Sequence, residues 1–145
     1  MLMPDVNVLI YAHRVEPPEH AEYARWLVAL AQGPEPFALS ELVCSAFVRI
    51  VTNPRVFTPV TNRAMAVAFV ENLRRRPNCR PLRPGPENWK IFVRLCEQSD
   101  ARGKLIADAY HAALAIEHGC ELATADADFA RFPDLRWRHP LRPRG

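Results

Sequence analysis

Short apolar segments alternate with longer amphipathic ones along nearly the whole chain, and that alternation restricts the fold more than any other feature. Leu2 to Pro4, Pro36 to Leu39, Cys79 to Leu82, Glu121 to Thr124 and Leu135 to Trp137 are too short for helices and read as strands. Val6 to His13 extends the first strand or turns helical; periodicity does not decide over so few residues. Pro17-Pro18 opens a helix with Tyr23, Trp26, Leu27 and Leu30 on one face, and Gly33-Pro34 ends it. Ser40 stands as an N-cap, with Glu41 in the first turn of a helix that runs through Phe47 and Ile50 to Asn53-Pro54. Thr61 is expected to cap the next, where Met65, Phe69 and Leu73 recur one turn apart before Pro77. Glu87 to Gln98 repeats the pattern through Trp89, Phe92, Val93 and Cys96. Lys104 to His118 is alanine-rich and closed by Gly119, where a C-cap glycine belongs. A short helical turn is expected through Phe129 and Phe132. Short strands alternating with helices predict an α/β fold: three layers, α/β/α, around a central, mostly parallel twisted sheet of about five short strands.

No repeat, low-complexity tract or glycine-rich linker divides the chain, so residues 1–145 are expected to form one domain. Charged residues make up 24% of the sequence and apolar ones 49%, a balance that excludes disorder and supplies a core. No apolar run reaches the roughly 18 residues of a membrane span. The opening Met-Leu-Met-Pro-Asp lacks a basic region before its apolar stretch and does not read as a secretion signal. Cys44, Cys79, Cys96 and Cys120 contain no Cys-x-x-Cys pair; disulfides are permitted by the even count, but buried reduced thiols in a cytoplasmic protein are the expectation. The formal net charge is +3. Arg74, Arg75, Arg76, Arg80 and Arg83 form one basic stretch, and Arg136, Arg138, Arg142 and Arg144 another. Such clusters suit phosphate backbones, because the guanidinium fork binds phosphate oxygens bidentately; arginine standing in for lysine throughout is the competing explanation.

Five carboxylates fall where strands end or helices begin: Asp5, Glu41, Asp108, Asp126 and Asp128. In an open α/β sheet, functional groups gather beyond the carboxyl ends of the strands, so these acids are expected to converge. Two like unit charges about 4 Å apart repel by roughly 4 kcal/mol at an effective dielectric near 20, so a cluster must protonate in part or bind a cation. Each acid also has a local explanation. Asp5 and Asp126 could cap the helices that follow them, and Glu41 and Asp128 could complement helix dipoles. Asp108, amid Ala, Leu and Ile, is the hardest to explain locally. Oxygen-only ligation selects a hard cation, Mg²⁺ or Mn²⁺, and suits metal-assisted phosphodiester hydrolysis. His111 forms an Asp-x-x-His pair with Asp108, although a packed or surface histidine is the commoner role. Lys104 could touch a substrate phosphate or neutralise the acids, and Thr124 could orient a carboxylate. No Ser-His-Asp set, P-loop, Gly-x-Gly-x-x-Gly or zinc-type spacing appears.

These residues fall in four blocks: Met3-Pro-Asp-Val-Asn-Val-Leu-Ile-Tyr-Ala12; Leu39-Ser-Glu-Leu-Val43 with Arg49-Ile-Val-Thr-Asn-Pro-Arg-Val-Phe57; Asp108-Ala-Tyr-His-Ala-Ala-Leu-Ala115 with Glu117-His-Gly119; and Leu122-Ala-Thr-Ala-Asp-Ala-Asp-Phe-Ala-Arg-Phe132 with Leu135-Arg-Trp137. In that order they resemble the PIN-domain proteins, specifically VapC-type toxins of VapBC toxin–antitoxin modules. The resemblance implies a PIN-like fold with an acidic pocket at the strand ends, and an Mg²⁺- or Mn²⁺-dependent endoribonuclease that arrests translation by cutting RNA. It implies that Asp5, Glu41, Asp108 and Asp126 are the catalytic acids. Asp5, Asp108, Asp126 and Asp128 would be metal ligands, with Thr124 and Asn7 supporting them and Lys104 near the substrate. It implies homodimers and a VapB-type antitoxin partner, and no membrane. Two positions depart from the pattern. Ala127 stands where relatives often carry a basic residue, and Lys104 where many have asparagine, which leaves the role of Lys104 open. A receiver-type phosphoacceptor domain is a poor alternative, because Asp5 stands alone and Cys79 to Leu82 offers no aspartate. A PIN-like module that binds RNA or protein without cutting is the stronger one.

Overall fold

The computed structural model describes residues 1–142, so Arg144 lies outside the described residues. Strand β1 (Leu2–Pro4) is followed by α1 (Val6–His13), α2 (His20–Gln32), β2 (Phe37–Ser40), α3 (Glu41–Val51), α4 (Arg63–Arg74), β3 (Cys79–Leu82), α5 (Asn88–Ser99), α6 (Lys104–Glu117), β4 (Glu121–Ala123), a 3-10 helix (Ala127–Arg131) and β5 (Trp137–Arg138). The five strands form one sheet in the order β3-β2-β1-β4-β5. The expected sheet is mostly parallel; every pairing observed is parallel.

Capping chemistry sets several boundaries. The Asp5 carboxylate accepts from the Val6 N–H at 2.7 Å, which stops β1 and starts α1, so Val6 to His13 turns helical. Ser40 Oγ accepts from the Val43 N–H at 3.1 Å and caps α3 as expected. The cap of α4 differs from expectation: Asn62, not Thr61, accepts from the Met65 N–H, at 2.8 Å. Thr61 is buried instead, 2.9 Å from His13 Nε2 and accepting from Arg14 at 3.1 Å. Its hydroxyl serves a tertiary contact that the local pattern does not reveal. Gly119 has a φ of +66°, the left-handed turn that ends α6.

Strand alternation distributes the core over both faces. Phe37 and Leu39 join a cluster with Val8, Leu27, Val43, Phe47 and Val70, so α1 to α4 cover one face. Ala38 points the other way and joins Met3, Leu95, Leu114, Leu122 and Phe129, so α5, α6 and the 3-10 helix cover the opposite face. The alanines of α6 allow that helix to pack closely on the sheet. All four cysteines are free; Cys44, Cys79 and Cys120 are buried, and burial pushes the Cys44 thiol up to about 11. Among the described residues no helix is long and apolar enough to cross a membrane.

Both edges of the sheet are short. β5 has two residues, and Arg138 donates to Glu121 at 2.7 Å. At the other edge, the Asn78 carbonyl accepts from Phe37 N–H, so alternation turns Pro81, which has no N–H, outward.

Phe47 is fully buried, stacked on Phe69 at 4.9 Å and edge-on to His13 at 5.4 Å. Phe47→Ala is expected to cost about 3–5 kcal/mol, read as a lower urea midpoint with an unchanged m-value.

Candidate active site

The chain builds β1, β2 and β3 outward in one direction, then returns to lay β4 on the other side of β1. That reversal opens a crevice beyond the carboxyl ends of β1 and β4, the place where α/β sheets bind ligands. Pro4 pairs with Ala123, so Asp5 and Thr124 come level, and the Asp5 N–H donates to Ala123 O at 2.8 Å. Thr124 Oγ1 donates to Asp5 Oδ2 at 2.8 Å and accepts from the Asp126 N–H at 3.0 Å. The Asn7 amide donates to Asp5 Oδ2 at 3.3 Å and to Thr124 Oγ1 at 3.2 Å, while its oxygen accepts from Ala125 N–H at 3.3 Å. Asp5, Asn7 and Thr124 therefore form one interlocked clamp across two strands.

A second group sits where α6 meets the loop after β4. Lys104 Nζ donates to Asp108 Oδ2 and to Asp126 Oδ2, at 2.9 Å in both cases. Asp126 also caps the 3-10 helix, accepting from the Asp128 N–H at 2.9 Å. One turn along α6, His111 is buried beside Asp108, and among the described residues its Nδ1 has no hydrogen-bond partner. The structure thus resolves the Asp-x-x-His pair into a buried histidine close enough to feel the charges of both Asp5 and Asp108.

Environment separates these groups. Burial pushes the Asp5 carboxyl above its ordinary range and the Asp108 charge adds to the rise, against the Thr124 hydrogen bond, His111 and the Val6 N–H. Burial likewise lowers His111, opposed by the charges of Asp5 and Asp108. For Asp126, burial acts upward, but the Asp128 N–H and the Lys104 ammonium outweigh it and hold the carboxyl below its usual value. For Lys104, burial acts downward, yet its bonds to Asp126 and Asp108 carry it above the ordinary lysine range.

Two expected members stand apart from this group. Glu41 begins α3 just beyond the level of Asp5, since Leu2 pairs with Phe37, but its side chain is 68% exposed and 3.3 Å from Arg74. Asp128 is exposed, and its hydrogen bond at the site comes from its backbone N–H. Among the described residues no three His, Cys, Asp or Glu side chains gather as a metal cage. The donor chemistry nonetheless fits a hard divalent ion. Carboxylate oxygens from two elements already converge on a single positive charge, with a buried acid beside them. The Glu41–Arg74 pair escaped sequence reasoning, which placed Arg74 only within a basic stretch; contact between α4 and the start of α3 leaves no local signal.

The family model for the PIN domain matches residues 2–135. Ribonuclease VapC43 of Mycobacterium tuberculosis (strain H37Rv) is 48% identical over 141 residues, covering 97% of this chain and 96% of that protein. Ribonuclease VapC25 of the same strain is 41% identical over 140 residues, covering 97% and 99%. Among solved structures, VapBC2 from Rickettsia felis bound to a DNA fragment from their promoter matches with a TM-score of 0.69 and 19% identity, over 94% of this chain and 96% of that one. VapBC-1 from nontypeable Haemophilus influenzae matches with a TM-score of 0.68 and 19% identity, over 97% and 98%. At that identity the structural likeness is one of fold.

The raised Asp5 carboxyl has a consequence for stability. The folded protein holds this proton more tightly than the unfolded chain, so the group's contribution is full below the ordinary value of 3.8 and is lost as pH rises through the folded value. Asparagine retains a good N-cap oxygen and carries no charge. Asp5→Asn is therefore expected to gain stability relative to the native chain between about pH 4 and about pH 7, measured by urea denaturation at both.

Proposed function

Since the chain belongs to the PIN-domain family and is of VapC type, we propose that it is an Mg²⁺- or Mn²⁺-dependent endoribonuclease, the toxin of a type II toxin–antitoxin pair. Its relatives are named ribonucleases, which supports RNA as the substrate. The solved VapBC assemblies of the same fold support a VapB-type antitoxin as partner. Residues 1–145 act as one domain, in the cytoplasm, and assemble as homodimers.

The observation that carries the reading is the clamped, buried Asp5 beside an acid pair already gathered around one cation. In this reading Asp5, Asp108 and Asp126 hold the ion, and Asp128 joins them by a side-chain rotation that its exposure allows. A divalent ion held there would lower the pKa of a water and neutralise charge developing on the phosphate. The chain's own residues do the rest. Thr124 and Asn7 fix one oxygen of Asp5 and the Val6 N–H the other, so the carboxylate is aimed before any ligand arrives. Glu41, exposed at the neighbouring strand end, turns from Arg74 to take a proton from the attacking water. Lys104 at the rim meets substrate phosphate. Arg83 lines a groove of about 400 Å³ with Glu41, Tyr110 and Leu114, and together with Arg74 it offers the RNA backbone a fork-shaped partner.

One observation favours a second reading, a catalytically silent PIN-like module that binds RNA or protein. Lys104 already brings a positive charge of the chain's own to Asp108 and Asp126. Incubation with total RNA and Mn²⁺ separates the two. A nuclease releases fragments that EDTA suppresses, and Asp5→Asn cuts the rate at least about a hundred-fold while staying folded. Undiminished, chelator-sensitive cleavage by that variant would falsify the assignment of Asp5. RNA retained but uncut by the native protein favours the silent module.

A further inference from the structure

Lys104 occupies an unfavourable place for a lysine. It is the first residue of α6, where the helix dipole is positive, and neither an acidic side chain in the first turn nor a side-chain cap stands there. The helix dipole therefore does not explain it, and its i,i+4 pair with Asp108 accounts for only one of its two bonds. Its ammonium reaches two carboxylates from different elements, Asp108 on α6 and Asp126 on the loop after β4, at 2.9 Å each. Two acids presented to a single positive charge form the arrangement that a divalent ion also seeks, and the ammonium draws on the same oxygens.

We propose that Lys104 is an intramolecular counterion that competes with the divalent ion for Asp108 and Asp126, and so sets the concentration at which the site loads. The inference rests on the reading above that these carboxylates hold the ion. Charge accounting supports it. With Lys104 in place, two carboxylates share one positive charge; a divalent ion in its stead matches them. Both cations cannot keep those oxygens, because like charges drawn to the same carboxylates would stand close together and repel. The swap needs no opening of the core. The Lys104 side chain is 69% exposed, whereas that of Asp108 is 11% exposed and that of Asp126 is 25% exposed. The lysine can swing into water while the carboxylates stay where the fold holds them. Once released, it remains on the first turn of α6 at the mouth of the crevice, placed for a phosphate.

The consequence is a threshold. The apo protein is not left with an uncompensated acid pair, and the ion binds more weakly than the carboxylates alone would dictate. Binding of Mn²⁺ to the purified chain, followed by loss of the free-ion electron paramagnetic resonance signal, tests this without reference to cleavage. Lys104→Met removes the charge and keeps an unbranched side chain only one atom shorter. It is expected to bind Mn²⁺ about five- to thirty-fold more tightly than the native protein. Lys104→Gln, with a neutral polar end, is expected to shift in the same direction. A second readout is the thermal midpoint. A fixed, sub-saturating Mn²⁺ concentration raises it more in either variant than in the native chain. Equal or weaker Mn²⁺ binding by both variants overturns the proposal, even if their metal-free stability changes, since a purely structural lysine would alter only the latter. If neither the native protein nor the variants bind Mn²⁺ at millimolar concentration, the metal reading of the site falls first and the inference falls with it.

Discussion

The hydrogen bond from the Thr124 hydroxyl to Asp5 joins residues 119 positions apart, and the geometry of the crevice depends on it. It forms because β1 lies between β2 and β4 with Pro4 level with Ala123. A one-residue slip of β4 would turn Thr124 to the other face and would remove the acceptor for the Asp126 N–H as well. One hydroxyl thus fixes a buried acid at the end of β1 and the start of the loop that carries the next acid. The register is in turn held by the apolar layers on both faces, where Met3 and Leu122 pack with α6 and Phe37 with α1 to α4. The polar clamp is as precise as the cores that position it.

Three aspartates at the crevice have three surroundings. Asp5 is buried among neutral donors and resists ionisation. Asp126 is half-open, with an N–H and an ammonium, and ionises readily. Asp108 is buried but shares the same ammonium. A carboxyl held dry beside groups that are charged and compensated is a poor arrangement for stability alone. The two hydrophobic layers on either face of the sheet supply the apolar burial that offsets it.

Much of this was legible in the chain because its causes are local. Ser40 reads as a cap and behaves as one; Gly119 reads as a helix stop and takes a positive φ; the five short strands lie within a residue or two of where apolar runs and turn residues place them. Asp5, Glu41 and Asp126 are legible as residues just past strand ends, which is a statement about topology once the sheet is assumed, whereas Asp108 lies inside α6. What stayed hidden is tertiary. Thr61 is the expected cap of α4, yet its hydroxyl is engaged by His13 and Arg14, and Asn62 caps the helix instead. Lys104 was visible as an unusual residue one turn before Asp108, but its bond to Asp126 crosses from helix to loop. Glu41 was expected with the other acids, and the side chain instead meets Arg74 from α4. Sequence places the backbone of such a residue well and its rotamer poorly.

The outermost strands carry a last implication. A sheet ordinarily recruits other chains by offering an unpaired ladder, and here one border is two residues long while the other presents a proline where a donor would be. Neither can template a further strand for any length. Strand addition is therefore disfavoured at both borders, which leaves side chains, and not main-chain hydrogen bonds, as what the sheet's rim can offer.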